Sequence, residues 1–91
     1  MIRHYFAPSF ERTYKKLSRR DQELVDDAVE ALLSYLGERK NLPKGVGLKK
    51  LTKRYWEIRS SIDLRIIFEL DNPLGFLLVG THDDIKRFIR E

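Results

Sequence analysis

Residues 54–70 read RYWEIRSSIDLRIIFEL, two short alternating runs joined by a polar turn. Trp56 and Ile58 share one face of the first run, and Leu64, Ile66, Phe68 and Leu70 share one face of the second. Side chains of a strand point alternately to its two faces, so this period of two predicts a pair of half-buried strands. For Trp56 and Ile58 to lie on the face of Ile66 and Phe68, paired residue numbers must sum to an even value. A sum of 124 leaves Ser61, Ile62 and Asp63 as a three-residue loop. The opposite face then carries Tyr55, Glu57, Arg59, Arg65, Ile67 and Glu69, with Arg59 directly across from Arg65. Like charges so placed are destabilising, on the order of 0.2–1 kcal/mol. An anion is expected beside them, either Glu57 or Glu69 or a bound phosphate.

Outward from the hairpin, charge is unevenly distributed. Residues 39–54 hold seven bases (Arg39, Lys40, Lys44, Lys49, Lys50, Lys53 and Arg54) and no acid, whereas residues 21–30 hold five acids and no base. The net charge is +4 and the sequence pI about 9.5, so the polarity of the field says more than its total. The basic stretch reads either as a solvated sheet edge that discourages edge-to-edge pairing or as a phosphate-facing surface, and its lack of acids favours the second.

The 91 residues, 42% of them hydrophobic, suit one domain that folds alone. With no cysteine there is neither a disulfide framework nor a thiolate metal site. No apolar run approaches the roughly 20 residues of a membrane span, and MIRHYF lacks the apolar stretch of a signal peptide, so a cytoplasmic protein is expected.

The preceding half is helical in pattern. Ile2–Phe6 is β-prone, with His4 on its apolar face as a structural residue. Pro8 suits a first helical turn, and Phe10, Tyr14 and Leu17 follow as one stripe, ending a first helix near Leu17. Ser18 with Asp21 predicts an N-cap. Leu24, Ala28, Ala31, Leu32 and Tyr35, widened by Val25, Val29 and Leu36, predict a second helix stopped by Gly37. Asn41–Gly47 is a loop. Leu48–Leu51 is an edge strand or irregular. Asp71–Gly75 turns the chain, Phe76–Val79 is apolar on both faces as in a central strand, and Thr81 caps a final helix that opens with Asp83 and Asp84. The expected fold class is α+β: an N-terminal strand and a helical hairpin packed on a twisted, mainly antiparallel sheet of about four strands, with a short C-terminal helix. Trp56 and Tyr35 are read as core.

LKKLTKRYWEIRSSIDLRIIFEL (48–70), followed by LLVGTHDDIKRF (77–88), resembles the C-terminal half of the RelE/ParE toxin superfamily. The resemblance lies in a Leu-Lys-rich approach, an aromatic-x-hydrophobic-Arg strand, a short polar turn, an Arg-hydrophobic-hydrophobic-aromatic strand and a last strand ending in Gly with His close behind. It implies the toxin of a toxin–antitoxin pair, either a ribosome-dependent endoribonuclease acting on messenger RNA or a ParE-like gyrase inhibitor. A toxin homologue that has lost its nuclease site and only binds its antitoxin is the third possibility. In the RelE-like branch the resemblance places Arg65 on the scissile phosphate region and His82 in the chemistry. A Tyr that completes such sites has no counterpart after Tyr55; Lys86 or Phe88 stands in its place. Glu57 takes a position where some members carry lysine, and in others a Glu–His pair supplies base and acid.

Cleavage by the RNA's own 2′-hydroxyl requires a proton acceptor, a proton donor and cations on phosphorus, roles that Glu57, His82, Arg59 and Arg65 are able to supply without a metal or other cofactor. Each also has a plain reading. Arg65 is a strand arginine paired to Glu57 or Glu69, Glu57 is the partner of Arg59 or Arg65, and His82 caps a helix. Lys44, Lys49, Lys50, Lys53 and Arg54 are the candidate RNA contacts. The implied partners are messenger RNA on the ribosome and an acidic antitoxin that wraps the helical hairpin and sheet.

Overall fold

Ser18 begins the longest element as expected: its Oγ accepts the Asp21 N–H at 3.1 Å, satisfying one of the donors a helix leaves unpaired at its start. The computed structural model describes residues 2–38 and 41–90. In chain order these form β1 (His4–Phe6), α1 (Pro8–Lys15), α2 (Arg19–Glu38), β2 (Lys49–Lys50), β3 (Tyr55–Arg59), β4 (Arg65–Glu69), β5 (Leu74–Gly80) and α3 (His82–Arg90). Arg39 and Lys40, the first two bases of the basic stretch, lie outside the described residues.

The strands make one sheet in the order β1-β5-β4-β3-β2. β3 and β4 pair antiparallel with the expected sum of 124, Trp56 against Phe68, Ile58 against Ile66 and Arg59 against Arg65. β2 adds to the free side of β3, which makes Leu48–Leu51 an edge strand reduced to its two lysines. Five strands are present among the described residues rather than about four, and β1 joins parallel to β5 while the other pairings are antiparallel.

α1 and α2 cover one face. Phe10, Val25, Ala28, Val29 and Leu32 pack on Ile58, Ile66, Phe68, Leu74, Phe76 and Val79 as one core. The centre of the α2 stripe is thus Val25, Val29 and Leu32, and Tyr35, read as core, is 37% exposed. Leu70 is likewise exposed because β4 ends at Glu69, one residue before it. The first helix closes at Lys15, short of Leu17, and the second continues through Gly37 to Glu38. His4 is exposed on the edge strand, its ring set edge-on to Phe6 and Phe76.

The β4–β5 register shifts between Ile67 and Phe68, leaving Leu77 as an extra residue. α1 meets that irregularity with hydroxyls: Ser9 Oγ donates to the Leu77 carbonyl, and Thr13 Oγ1 accepts the Val79 N–H at 3.2 Å. The other face of the sheet is covered by α3, whose Ile85 is buried and whose Phe88 meets Tyr55 edge-on at 5.5 Å. No helix among the described residues is long and apolar enough to cross a membrane.

Truncating Leu32, fully buried at the helix–sheet contact, is expected to cost about 2–5 kcal/mol of unfolding free energy. Tyr35→Ala on the same helix is expected to cost well under half as much. Urea titrations of the two variants check this placement of the stripe.

Candidate functional site

Alternation along β3 and β4 puts Glu57, Arg59 and Arg65 on the face opposite the helical hairpin. Glu57 and Arg65 are diagonal neighbours there, and Arg65 Nε lies 2.8 Å from Glu57 Oε2. Both are sheltered, with side-chain exposures of 20% for Arg65 and 9% for Glu57, so the pair is desolvated well beyond an ordinary surface ion pair. Glu57 is therefore the anion that the Arg59–Arg65 opposition demands. No carboxylate among the described residues pairs with Arg59, so of the two arginines it is the one with its charge uncommitted.

The loop before β2 positions Arg59 from the other side. Gly47, at φ +59°, turns the chain into the left-handed region, and a Cβ there would lie 3.8 Å from Arg59 Nε. The Arg59 N–H donates to the Val46 carbonyl at 2.6 Å, while Val46 is buried in the core. The loop is thereby latched to the end of β3.

α3 closes the site. Thr81 accepts the Asp84 N–H at 3.3 Å, and Asp84 Oδ2 accepts from the Thr81 N–H at 2.9 Å and its hydroxyl at 3.0 Å, a reciprocal cap on the first turn. Gly80 makes the approach possible, since a Cβ there would lie 2.7 Å from Asp84 Cβ. The Thr81 N–H, with smaller help from the hydroxyl and Arg87, holds the Asp84 carboxyl below its ordinary range. With Thr81 as cap, His82 is the first helical residue, 60% exposed, with Nδ1 3.9 Å from Asp83 Oδ1.

These elements enclose a cavity of about 270 Å³ whose polar lining is Lys49, Glu57, Arg59, Arg65, His82 and Lys86, above apolar walls from Leu51, Ile85 and Ile89. All four residues expected to do chemistry are brought together, in a lining of four cations and one carboxylate. Of the candidate RNA contacts only Lys49 joins them. Lys44 lines a neighbouring cavity that shares Arg59. Lys50 stands over the Trp56 ring at 5.8 Å, and Lys53 is exposed in the turn before β3. Arg54 is committed to Glu69 through Nε at 3.1 Å and Nη2 at 2.8 Å, which keeps its guanidinium more firmly protonated, and it also lies over Tyr55. Lys86, at one of the two positions that stand in place of a Tyr, also lines this cavity. Its spacing of four from His82 places it on the same helical face, and that was the available signal.

No family model and no curated sequence relative matches the chain. Solved structures do. YafQ from Escherichia coli superposes with a TM-score of 0.68 at 19% identity, over 93% of this chain and 98% of that one. The RelB–RelE antitoxin–toxin complex of Methanococcus jannaschii gives 0.67 at 19%, over 91% and 95%. The YoeB dimer of Staphylococcus aureus gives 0.63 at 23%, over 89% and 97%. The likeness shows the fold: the chain is built as RelE-like toxins are.

Because the folded-state pKa of Asp84 is depressed, its contribution to α3 is complete above the ordinary aspartate value of about 3.9 and is lost as pH falls through the lower folded value. Amide shifts of Thr81 and Asp84 followed by NMR through that acid range are expected to report release of the cap. Thr81→Ala is expected to loosen the helix at all pH values, at a cost of about 1 kcal/mol.

Proposed function

We propose that the chain is the toxin of a toxin–antitoxin pair, a single domain over residues 1–91 that acts in the cytoplasm as a ribosome-dependent endoribonuclease on messenger RNA. The observation that carries this reading is the meeting of Glu57, Arg59, Arg65 and His82 around one cation-rich cavity on a RelE-like scaffold. The DinJ–YafQ toxin–antitoxin complex of Escherichia coli and the RelB–RelE complex, both built on this scaffold, support an antitoxin as protein partner.

In the proposed reaction the 2′-oxygen of the nucleotide before the cut bonds to phosphorus as the bond from phosphorus to the 5′-oxygen breaks. Glu57 takes the 2′-hydroxyl proton and His82 gives one to the leaving 5′-oxygen, so the products are a 2′,3′-cyclic phosphate and a 5′-hydroxyl. Arg59, paired with no carboxylate among the described residues, meets the phosphate first. Arg65 then shares its guanidinium between Glu57 and the phosphate, countering charge that grows on the non-bridging oxygens. Lys49 from β2 and Lys86 from α3 hold the neighbouring backbone phosphates. An acidic antitoxin segment laid in this cleft neutralises the toxin by occupying those cations.

Primer extension on a reporter message after induced expression tests the proposal, with discrete cuts within codons as the expected result. Arg65→Ala and Arg59→Ala are each expected to lower cleavage by about 10²–10³-fold, and His82→Ala by about 10²–10⁴-fold. Full toxicity in all three variants sinks the site. Intact messages accompanied by DNA-damage signalling point instead to a ParE-like action on gyrase, and intact messages without toxicity to a homologue that only binds its antitoxin.

A further inference from the structure

The cavity that adjoins the cation cleft shares a wall with it but has a different lining. It holds about 230 Å³ between α2, the loop before β2 and the β3–β4 turn. Leu24, Ala28 and Ala31, on one face of α2, give it an apolar floor that the short alanines leave flat, and Pro43 with the buried Val46 continues it. The polar lining is Asp27, Lys44, Arg59, Ser60 and Ser61. Both serines are engaged by the turn itself: Ser60 Oγ donates to the Leu64 carbonyl at 3.4 Å, and Ser61 Oγ accepts the Leu64 N–H at 3.2 Å. Asp27 and Lys44 differ from them. Both are exposed, and neither takes part in an ion pair or side-chain hydrogen bond among the described residues. Arg59 is the wall in common, lining this cavity and the cleft alike.

We propose that this cavity is a nucleobase site selective for guanine, with the nucleotide's phosphate held on Arg59, and that its occupant is a base of the message beside the cut. The assignment to a message rests on the nuclease reading above, whereas the guanine site stands on the lining alone. A single strand pinned at a phosphate by Arg59 must place the adjoining base, and unpaired bases are taken up on apolar surfaces with their polar edges hydrogen-bonded. The carboxylate in the cleft, Glu57, is already committed to Arg65, so the donors of a base meet their acceptor next door at Asp27. Guanine is the base whose edge suits this lining. Its N1–H and N2–H lie side by side and match the two oxygens of one carboxylate, while its O6 and N7 accept from a lysine. Cytosine and adenine turn a ring-nitrogen lone pair toward the carboxylate beside a single amino group, and uracil sets its one N–H between two carbonyls. Each of these places a lone pair against the Asp27 charge and leaves an acceptor unpaired. A partner helix, about 10 Å across with its side chains, is too wide for a cavity of this volume.

NMR titrations of the intact protein with the 5′-monophosphates of guanosine, adenosine, cytidine and uridine test the site without any cleavage. The guanosine nucleotide is expected to move the amides of Asp27, Ala28, Val46 and Ser61 and to bind about tenfold more tightly than the other three. Asp27→Asn, an exposed change that preserves size, is expected to abolish that preference without abolishing binding, and Arg59→Ala to weaken all four nucleotides alike. Circular dichroism verifies the fold of each variant. Two RNA pentamers, UUGUU and UUAUU, 2′-O-methylated throughout so that they resist cleavage, identify the source of the guanine. Tighter binding of the first, lost in Asp27→Asn, upholds the assignment to a message. A preference for the guanosine nucleotide with equal binding of the two RNAs overturns that assignment in favour of a free nucleotide. Equal binding of the four nucleotides, shifts confined to the cleft, or a guanine preference unmoved by Asp27→Asn overturns the site. Primer extension keeps the two readings apart: discrete cuts with no guanine preference in binding leave the nuclease and remove this site. A guanine preference in a chain that makes no cuts leaves the site and removes the message as its occupant.

Discussion

The pairing of β3 with β4 is the constraint on which the rest depends. Because side chains alternate with a period of two, a slip of one residue would turn Ile58, Ile66 and Phe68 away from the helices, and all of them are essentially unexposed. The apolar face therefore determines the register, and the register in turn determines what stands on the other face. Arg59 must oppose Arg65, and a repulsion on the order of 0.2–1 kcal/mol must be met. Glu57 meets it from the diagonal position, at the cost of desolvating a carboxylate and a guanidinium together. What the core imposes as an electrostatic problem becomes the electropositive floor of a cleft.

The same sheet keeps two opposite surfaces apart. On one face Lys49, Arg59, Arg65 and Lys86 gather around a single carboxylate, and on the other Glu11, Asp26 and Glu30 border an aromatic groove. The sheet and its packed core lie between them, so each surface presents its own sign to what approaches it. The modest net charge of +4 conceals this division.

Helix α3 shows how closely backbone chemistry governs the cleft. Its approach to β5 depends on the absence of a Cβ at Gly80, its first turn on the exchange between Thr81 and Asp84, and its seat on Ile85 and Phe88. Only when all three hold do His82 and Lys86 face Arg65. The final strand and helix are thus as much a part of the site as the hairpin that carries the arginines.

The sequence by itself determined the elements whose signals are local: the hairpin and its register from parity, the Ser18 and Thr81 caps from hydroxyls placed before acids, and the presence of α1 and α2 from their apolar spacing. The opposition of Arg59 and Arg65 was legible for the same reason, since strand geometry is short-range. The parallel docking of β1 on β5 was not, because pairing between residues 4–6 and 74–76 leaves no trace in either segment alone. Tertiary packing also decided which residues of α2 are core, turning its stripe toward Val25, Val29 and Leu32 and leaving Tyr35 outside. It decided that Arg65 rather than Arg59 takes Glu57, that Arg54 is spent on Glu69, and that Lys86 rather than Lys50 or Lys53 enters the cleft. Each of those outcomes turns on which long, charged side chains a neighbouring element brings within a few ångströms, and separation in space of that kind is set by the packed fold, not by the order of residues along the chain.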